Sequence, residues 1–247
     1  MAKFTWRLLA SLAATTLAAC GSHVATQFPP GLNALQDTVE VAWPDCNTGT
    51  TDGCASPTDK YPETLATEQG GVNGTGPGYG WAHGRGYLKH PVAEVWAALQ
   101  LPGAVQLGFY PEKGQSTCAG AENVESGYDV SFSTHETPTG IGSFADFTVT
   151  FREGVVLGTS MAPQEVAVVY QKTWGTTYVG VLAGSIVFQA AADDPNVTSV
   201  EMIRHLAASH TNNGPQAQSW ITMYYDELKG YLDGTVTSFP ILCSGVP

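Results

Sequence analysis

Five runs of alternating or continuous β-formers between Tyr128 and Ala208, followed by one long helical stripe, most constrain what this chain can fold into. Phe144 to Arg152 alternates cleanly. Ala145, Phe147, Val149 and Phe151 fall on one side, and Asp146, Thr148, Thr150 and Arg152 on the other. A period of two marks a half-buried antiparallel strand. Tyr128–Thr134, Glu165–Thr173, Tyr178–Ala191 and Thr198–Ala208 read as further strands, with Asp193-Asp194-Pro195-Asn196 turning the chain between the last two. Gly180 and Gly184 mark a bend or bulge within the fourth run. After Asn213-Gly214-Pro215 the period changes. Ala217, Trp220, Ile221, Tyr224, Leu228, Tyr231 and Leu232 share one face of a helix.

Ahead of this lies a short strand, Gly84 to His90. Pro91 then suits a first helical position, because its ring presets the backbone angle and it has no amide proton to leave unpaired. Val92, Val95, Trp96 and Leu99 form one apolar stripe, and Pro102-Gly103 ends the helix. An irregular stretch then runs through Cys118 to about Ser126. Residues 20–80 read as a tether rich in Gly and Pro, ending in a Gly-rich run over 70–78 that regular structure tolerates poorly. The expected organisation is therefore 1–19, 20–80, and a folded domain over 81–247.

The order of strand, short helix, antiparallel strands and long C-terminal helix, with Tyr87-Leu88-Lys89-His90-Pro91-Val92-Ala93-Glu94-Val95-Trp96, resembles the START-like or helix-grip superfamily (SRPBCC), which includes the polyketide cyclase/dehydrase-like proteins. That resemblance implies an α+β fold in which a curved antiparallel β-sheet wraps around a long C-terminal helix. It also implies an apolar interior that holds a hydrophobic small molecule or lipid. The superfamily shares no catalytic signature, so the resemblance carries over no catalytic residue.

At the other end, Lys3 and Arg7 precede an apolar run over 8–19, and Leu17-Ala18-Ala19-Cys20 resembles a bacterial lipobox. The resemblance implies cleavage before Cys20, acylation of its thiol, and anchoring of the mature chain in the bacterial cell envelope by two or more acyl chains. Gly21 in place of Asp points to the outer membrane in a Gram-negative organism. Removing residues 1–19 leaves 8 basic against 22 acidic residues, a formal charge of −14. Such a chain repels nucleic acid. Four cysteines remain beyond Cys20: Cys46, Cys54, Cys118 and Cys243. In an oxidising compartment an even number reads as disulfides. Four cysteines allow three pairings, of which Cys46–Cys54 with Cys118–Cys243 is favoured.

No cofactor or metal is expected: the six histidines include no pair at helical metal-ligand spacing, and no Gly-x-Ser-x-Gly elbow occurs. Candidates for a ligand pocket are Tyr170, Phe188, Arg204, His205, Trp220 and Tyr224. The aromatic residues either fill a solid core or line a cavity. On the last strand Glu201, Ile203 and His205 share one side, and Met202, Arg204 and Leu206 the other. Whichever side faces inward brings an ionisable group with it. Arg204 then either pairs with an acid such as Asp146 or anchors the head of an acidic ligand. Three functions stay open: a membrane-anchored binding module, a structural or interaction lipoprotein, and a cyclase- or hydratase-type enzyme using His205, Arg204 or His135.

Overall fold

The computed structural model describes residues 38–46, 54, 56–72, 79–104, 116–122, 128–138, 146–208 and 212–239. Eight strands and two helices follow one another: β1 Leu65–Val72, β2 Tyr79–Leu88, α1 Val92–Leu99, β3 Ser116–Glu122, β4 Val130–Pro138, β5 Phe147–Thr159, β6 Ala162–Gly175, β7 Val179–Ala191, β8 Asp194–Ala208 and α2 Asn213–Leu232. The strands form one antiparallel sheet in the order β1-β2-β8-β7-β6-β5-β4-β3. Register shifts interrupt regular pairing at three places in the β5–β6 pair and two in the β7–β8 pair, and bulges of this kind bend a strand and increase its twist. The large curved sheet with a C-terminal helix laid on it is the helix-grip architecture.

Helix α2 lies mainly over β2, β1 and β8. It buries Ala217, Trp220, Ile221, Tyr224, Tyr225 and Leu228. Close approach at its N-terminal end depends on Gly80: a β-carbon there would stand 2.3 Å from the Gly214 backbone nitrogen. The Asn213 side chain ties this end down, receiving the Ala208 amide at 3.0 Å and donating to the Ala208 carbonyl at 3.2 Å. The Tyr225 hydroxyl donates to the Tyr87 carbonyl at 2.6 Å. Helix α1 packs chiefly on β6, with Val92, Val95, Trp96 and Leu99 buried.

Several expectations are corrected. The sheet begins at Leu65, not near Trp81, so β1 occupies ground read as tether and takes in Gly70, Gly71 and Val72. Residues 38–46 also belong to the folded body, where they cover the outer face of β2. His83, fully buried there, meets the Val39 carbonyl at 2.8 Å and Glu201 at 2.9 Å. Arg85 binds Glu201, Glu40 and the Val41 carbonyl. Trp43 stacks on Tyr87 at 5.2 Å. The Glu201 carboxyl is drawn below its ordinary range, first by the hydrogen bond from His83 and then by Arg85, against the opposing effect of burial.

Elsewhere, Pro91 is the N-cap of α1 and not its first helical residue. Strand β3 runs through the stretch read as irregular. Asn213-Gly214-Pro215 opens α2 instead of preceding it. The turn before β8 falls at 192–193, so Asp194, Pro195 and Asn196 are already in that strand. The Cys46–Cys54 disulfide is present, with Cα atoms 5.8 Å apart. Cys20, Cys243 and the proposed Cys118–Cys243 pair fall outside what the described residues cover. Among the described residues no helix is long and apolar enough to cross a membrane.

Candidate functional site

The inner face of the sheet follows from strand pairing. Ala82 on β2 faces Arg204 on β8, Arg204 faces Gly184 on β7, Gly184 faces Tyr170 on β6, and Tyr170 faces Phe151 on β5. Phe151 faces Phe132 on β4. A row of facing residues on adjacent strands projects to one side of a sheet, and here that side lies under α2. Four of the six pocket candidates meet in this row and the helix above it. Tyr170 and Trp220 have ring centroids 5.1 Å apart, and Trp220 and Tyr224 5.3 Å apart. The Arg204 guanidinium lies over the Trp220 ring at 4.1 Å and the Tyr170 ring at 5.6 Å. Phe188 is fully buried on the same face but faces Val200 and Val166, farther along the strands, where it is core.

His205 sits one residue from Arg204 and therefore projects to the opposite, outer face, where it is partly exposed. His135 likewise alternates outward from Thr134 and Glu136, and its Nε2 pairs with Asp146 at 2.9 Å. Neither histidine reaches the interior. Asp146 is thus the partner of His135, and the acid that acts on Arg204 is Glu136.

Two inner carboxyls escaped the sequence reading. Glu136 on β4 is 9% exposed and accepts a hydrogen bond from the Thr134 hydroxyl at 3.3 Å. Burial pushes it up to about 7, despite the opposing pull of Arg204 and Thr134. Glu153 on β5 is 2% exposed, and burial alone pushes it up to about 8. A carboxyl in this state is a hydrogen-bond donor as well as an acceptor near neutral pH. Burial also raises Tyr170 to about 12. The Tyr224 hydroxyl is likewise raised well above its ordinary value, by burial first and then by Glu153 and Tyr170.

Among the described residues, five buried polar atoms in this interior have no hydrogen-bond partner: Glu153 Oε2, the Tyr170 hydroxyl, Arg204 Nε and Nη1, and Trp220 Nε1. Arg204 is close enough to Tyr170 to offset part of its pKa rise, yet the two do not make a hydrogen bond of ordinary geometry. Two further unpartnered hydroxyls, Thr38 and Ser131, lie elsewhere. An unpaired buried polar group costs roughly 1–3 kcal/mol, more if charged. Folded proteins keep few of them, and their concentration in one place marks a site.

A second cluster sits where the end of β2 meets the start of α1 and the end of α2. Donor atoms of Glu63, His90 and Asp233 lie within 4.8 Å of one another. His90 binds Glu94 at 2.9 Å and Asp233 at 3.2 Å. The Lys229 ammonium pairs with Asp233 and lies 3.8 Å from Glu63. The lysine already supplies the positive charge these acids need, so the cluster reads as an ion-pair network joining α1 to α2.

No protein-family model matches the chain, and no curated protein matches it. Among solved structures, an uncharacterized protein from Rhizobium leguminosarum is 13% identical, with 69% of this chain and 99% of that one covered at a TM-score of 0.40. The ZhuI aromatase/cyclase from Streptomyces sp. R1128 is 15% identical over 70% of this chain and 86% of its own, at a TM-score of 0.30. Norcoclaurine synthase of Thalictrum flavum, as a point mutant, is 12% identical over 69% and 98%, at 0.35. Likeness at this level carries no argument about function, and the fold rests on the strand order and the helix themselves.

Proposed function

We propose that this chain is a membrane-anchored lipoprotein whose helix-grip domain binds a hydrophobic small molecule or lipid in the bacterial cell envelope. The observation that carries the binding reading is the set of unpartnered polar atoms on Glu153, Tyr170, Arg204 and Trp220, held among aromatic rings beneath α2. Binding sites for apolar molecules combine such walls with a few polar groups that fix orientation. A solid structural core would gain nothing from burying guanidinium N–H groups, here Nε and Nη1 of Arg204, without acceptors. The anchoring half of the proposal rests on Leu17-Ala18-Ala19-Cys20 and the short apolar run before it.

Trp220→Phe separates ligand binding from folding. It keeps an aromatic ring in the core and deletes the unpartnered indole N–H. Titration with an environment-sensitive apolar dye is expected to show binding weakened roughly tenfold, the size of one strong hydrogen bond. Thermal melts should shift by about 2 kcal/mol at most, because the smaller ring leaves a cavity well short of the one alanine would leave. A variant that melts far lower yet binds as well per folded molecule would refute the binding reading. For the anchor, Cys20→Ser is expected to release the protein from the membrane fraction. Retention there without the cysteine would remove the lipoprotein assignment.

One observation favours a second reading, catalysis. Burial raises Glu136, which lies near Arg204, to about 7 and Glu153, which lies near Tyr224, to about 8, and perturbed groups gathered in one interior are frequent at active sites. Turnover of a bound molecule that Glu153→Gln abolishes without loss of affinity would establish it. Binding without turnover would dismiss it.

A further inference from the structure

We infer that the ligand is a monoanionic amphiphile, a hydrophobic carboxylate whose headgroup is held by Arg204 and Trp220 on the inner face of β8 and α2. The inference rests on the binding reading above and names its chemical class.

The first argument is the balance of donors and acceptors. Arg204 Nε and Nη1 and Trp220 Nε1 are donors only, and all three are buried without partners. The Tyr170 hydroxyl beside them can also donate. A ligand group that satisfies this corner must be rich in acceptors. An ionised carboxylate is acceptor-only and fits the planar guanidinium, whereas an alcohol or amide brings fewer acceptor sites to these three donor-only atoms.

Charge gives the second argument. Arg204 is 7% exposed, and among the described residues it is the one buried cation on the inner face. The other buried basic groups, His83 and Arg85, lie on the outer face and are committed to Glu201, Glu40 and the 38–46 segment. One buried positive charge is matched by one negative charge. A phosphate dianion would bring a second charge with no counterpart, at a desolvation cost the site cannot meet. The protein's own candidate, Glu136, is bonded to Thr134, and its raised pKa leaves much of it neutral near pH 7.

Position supplies the third. The guanidinium carbon lies 4.1 Å from the Trp220 ring centroid and 5.6 Å from that of Tyr170, so cation–π contact holds the group in place. An arginine held in this way loses less side-chain freedom when a ligand binds. From there the aromatic row continues through Tyr170 to Phe151 and Phe132, with centroids 5.5 Å and 4.8 Å apart. Tyr170, Phe151 and Phe132 are 1%, 3% and 0% exposed, so the hydrophobic body of the ligand takes its place along this row by displacing core packing beneath α2.

The test uses the full chain and two matched pairs, oleate with oleyl alcohol and 1-pyrenebutyrate with 1-pyrenebutanol, by fluorescence displacement or calorimetry. At least one acid is expected to bind roughly tenfold or more tighter than its alcohol, the size of a charge-assisted hydrogen bond. Arg204→Met should bring that acid down to the level of the alcohol. Arg204→Lys, which keeps the charge but loses the flat fork, should retain part of the preference, and it serves if the methionine variant does not fold. Glu136→Gln, which removes the competing carboxyl, should widen the preference for the acid. Equal affinity for acid and alcohol in the unaltered protein overturns the carboxylate inference and leaves the binding reading standing. Failure of all four probes to bind the folded protein overturns the binding reading itself.

Discussion

Replacing Gly184 with alanine is expected to destabilise the fold by about 3 kcal/mol, the upper end for overpacking a core, and to abolish ligand binding with it. The added β-carbon would stand 2.1 Å from the Tyr170 hydroxyl oxygen, 2.3 Å from its Cζ and 2.4 Å from the Ile203 carbonyl. The carbonyl belongs to the sheet and cannot yield. Tyr170 cannot swing aside either, since Phe151 flanks its ring at 5.5 Å and Trp220 at 5.1 Å. The methyl group therefore displaces the tyrosine, and the tyrosine displaces the guanidinium packed beside it. Gly180 on the same strand provides the control, because its added carbon meets no atom closer than 3.5 Å. Urea unfolding should show Gly180→Ala within about 0.5 kcal/mol of the unaltered protein, as for ordinary surface changes. If Gly184→Ala proves no more destabilising than Gly180→Ala, the close seat of Tyr170 on Gly184 is wrong.

The second large effect is a dependence of stability on pH. Glu153 is pushed up to about 8 by burial, well above the 4.5 of a free glutamate. The folded state therefore holds its proton where the unfolded chain has released it. Below the unfolded pKa both states are protonated and the contribution is complete. As pH rises the unfolded state gains by ionising, and stability falls until the folded carboxyl also titrates. Glu136 acts in the same direction with a value of about 7. Unfolding free energy is expected to drop between about pH 5 and pH 8. Glu153 supplies roughly 3 kcal/mol of that drop, less than its full shift would give because a buried site relaxes as it charges. Glu153→Gln should flatten the slope, whatever it does to stability at the acid end. A profile that rises over this range, or one that the substitution leaves unchanged, would contradict a buried neutral Glu153.

Much of the fold was legible because the responsible residues are large. The spacing of Ala217, Trp220, Ile221, Tyr224 and Leu228 gives α2 its buried face, and Phe147, Val149 and Phe151 point inward as their alternation requires. Strands β1 and β3 were not legible. LATEQGGV and STCAGAE offer glycines and small or polar residues with no apolar period, and β1 holds its place by pairing with β2. Whether Arg204 or His205 faces inward could not be decided from β8 alone. Met202 and Leu206 are buried on one face, and Ile203 and Ala207 on the other. A strand covered on both sides loses the contrast on which period-two reading depends, and the outer cover of the neighbouring β2 comes from residues 38–46, which resemble a linker in sequence.

Glu153 was within reach. It continues Phe147, Val149 and Phe151 by one more step of two, so the alternation itself places a carboxyl inside. Glu136 is harder to find, because its inner neighbour Thr134 is polar and no hydrophobic run announces that face. The two acids are the residues that turn an aromatic core into a polar-lined interior, and polar groups on an inner face are where patterning alone has least to say.

The most direct test of ligand binding is native mass spectrometry of the full chain, purified from cells in mild detergent without a denaturing step, followed by solvent extraction. A stoichiometric adduct that extraction identifies as a hydrophobic small molecule or lipid is the predicted result. A chain that emerges at its own mass, and that takes up no apolar probe offered afterwards, would contradict the account.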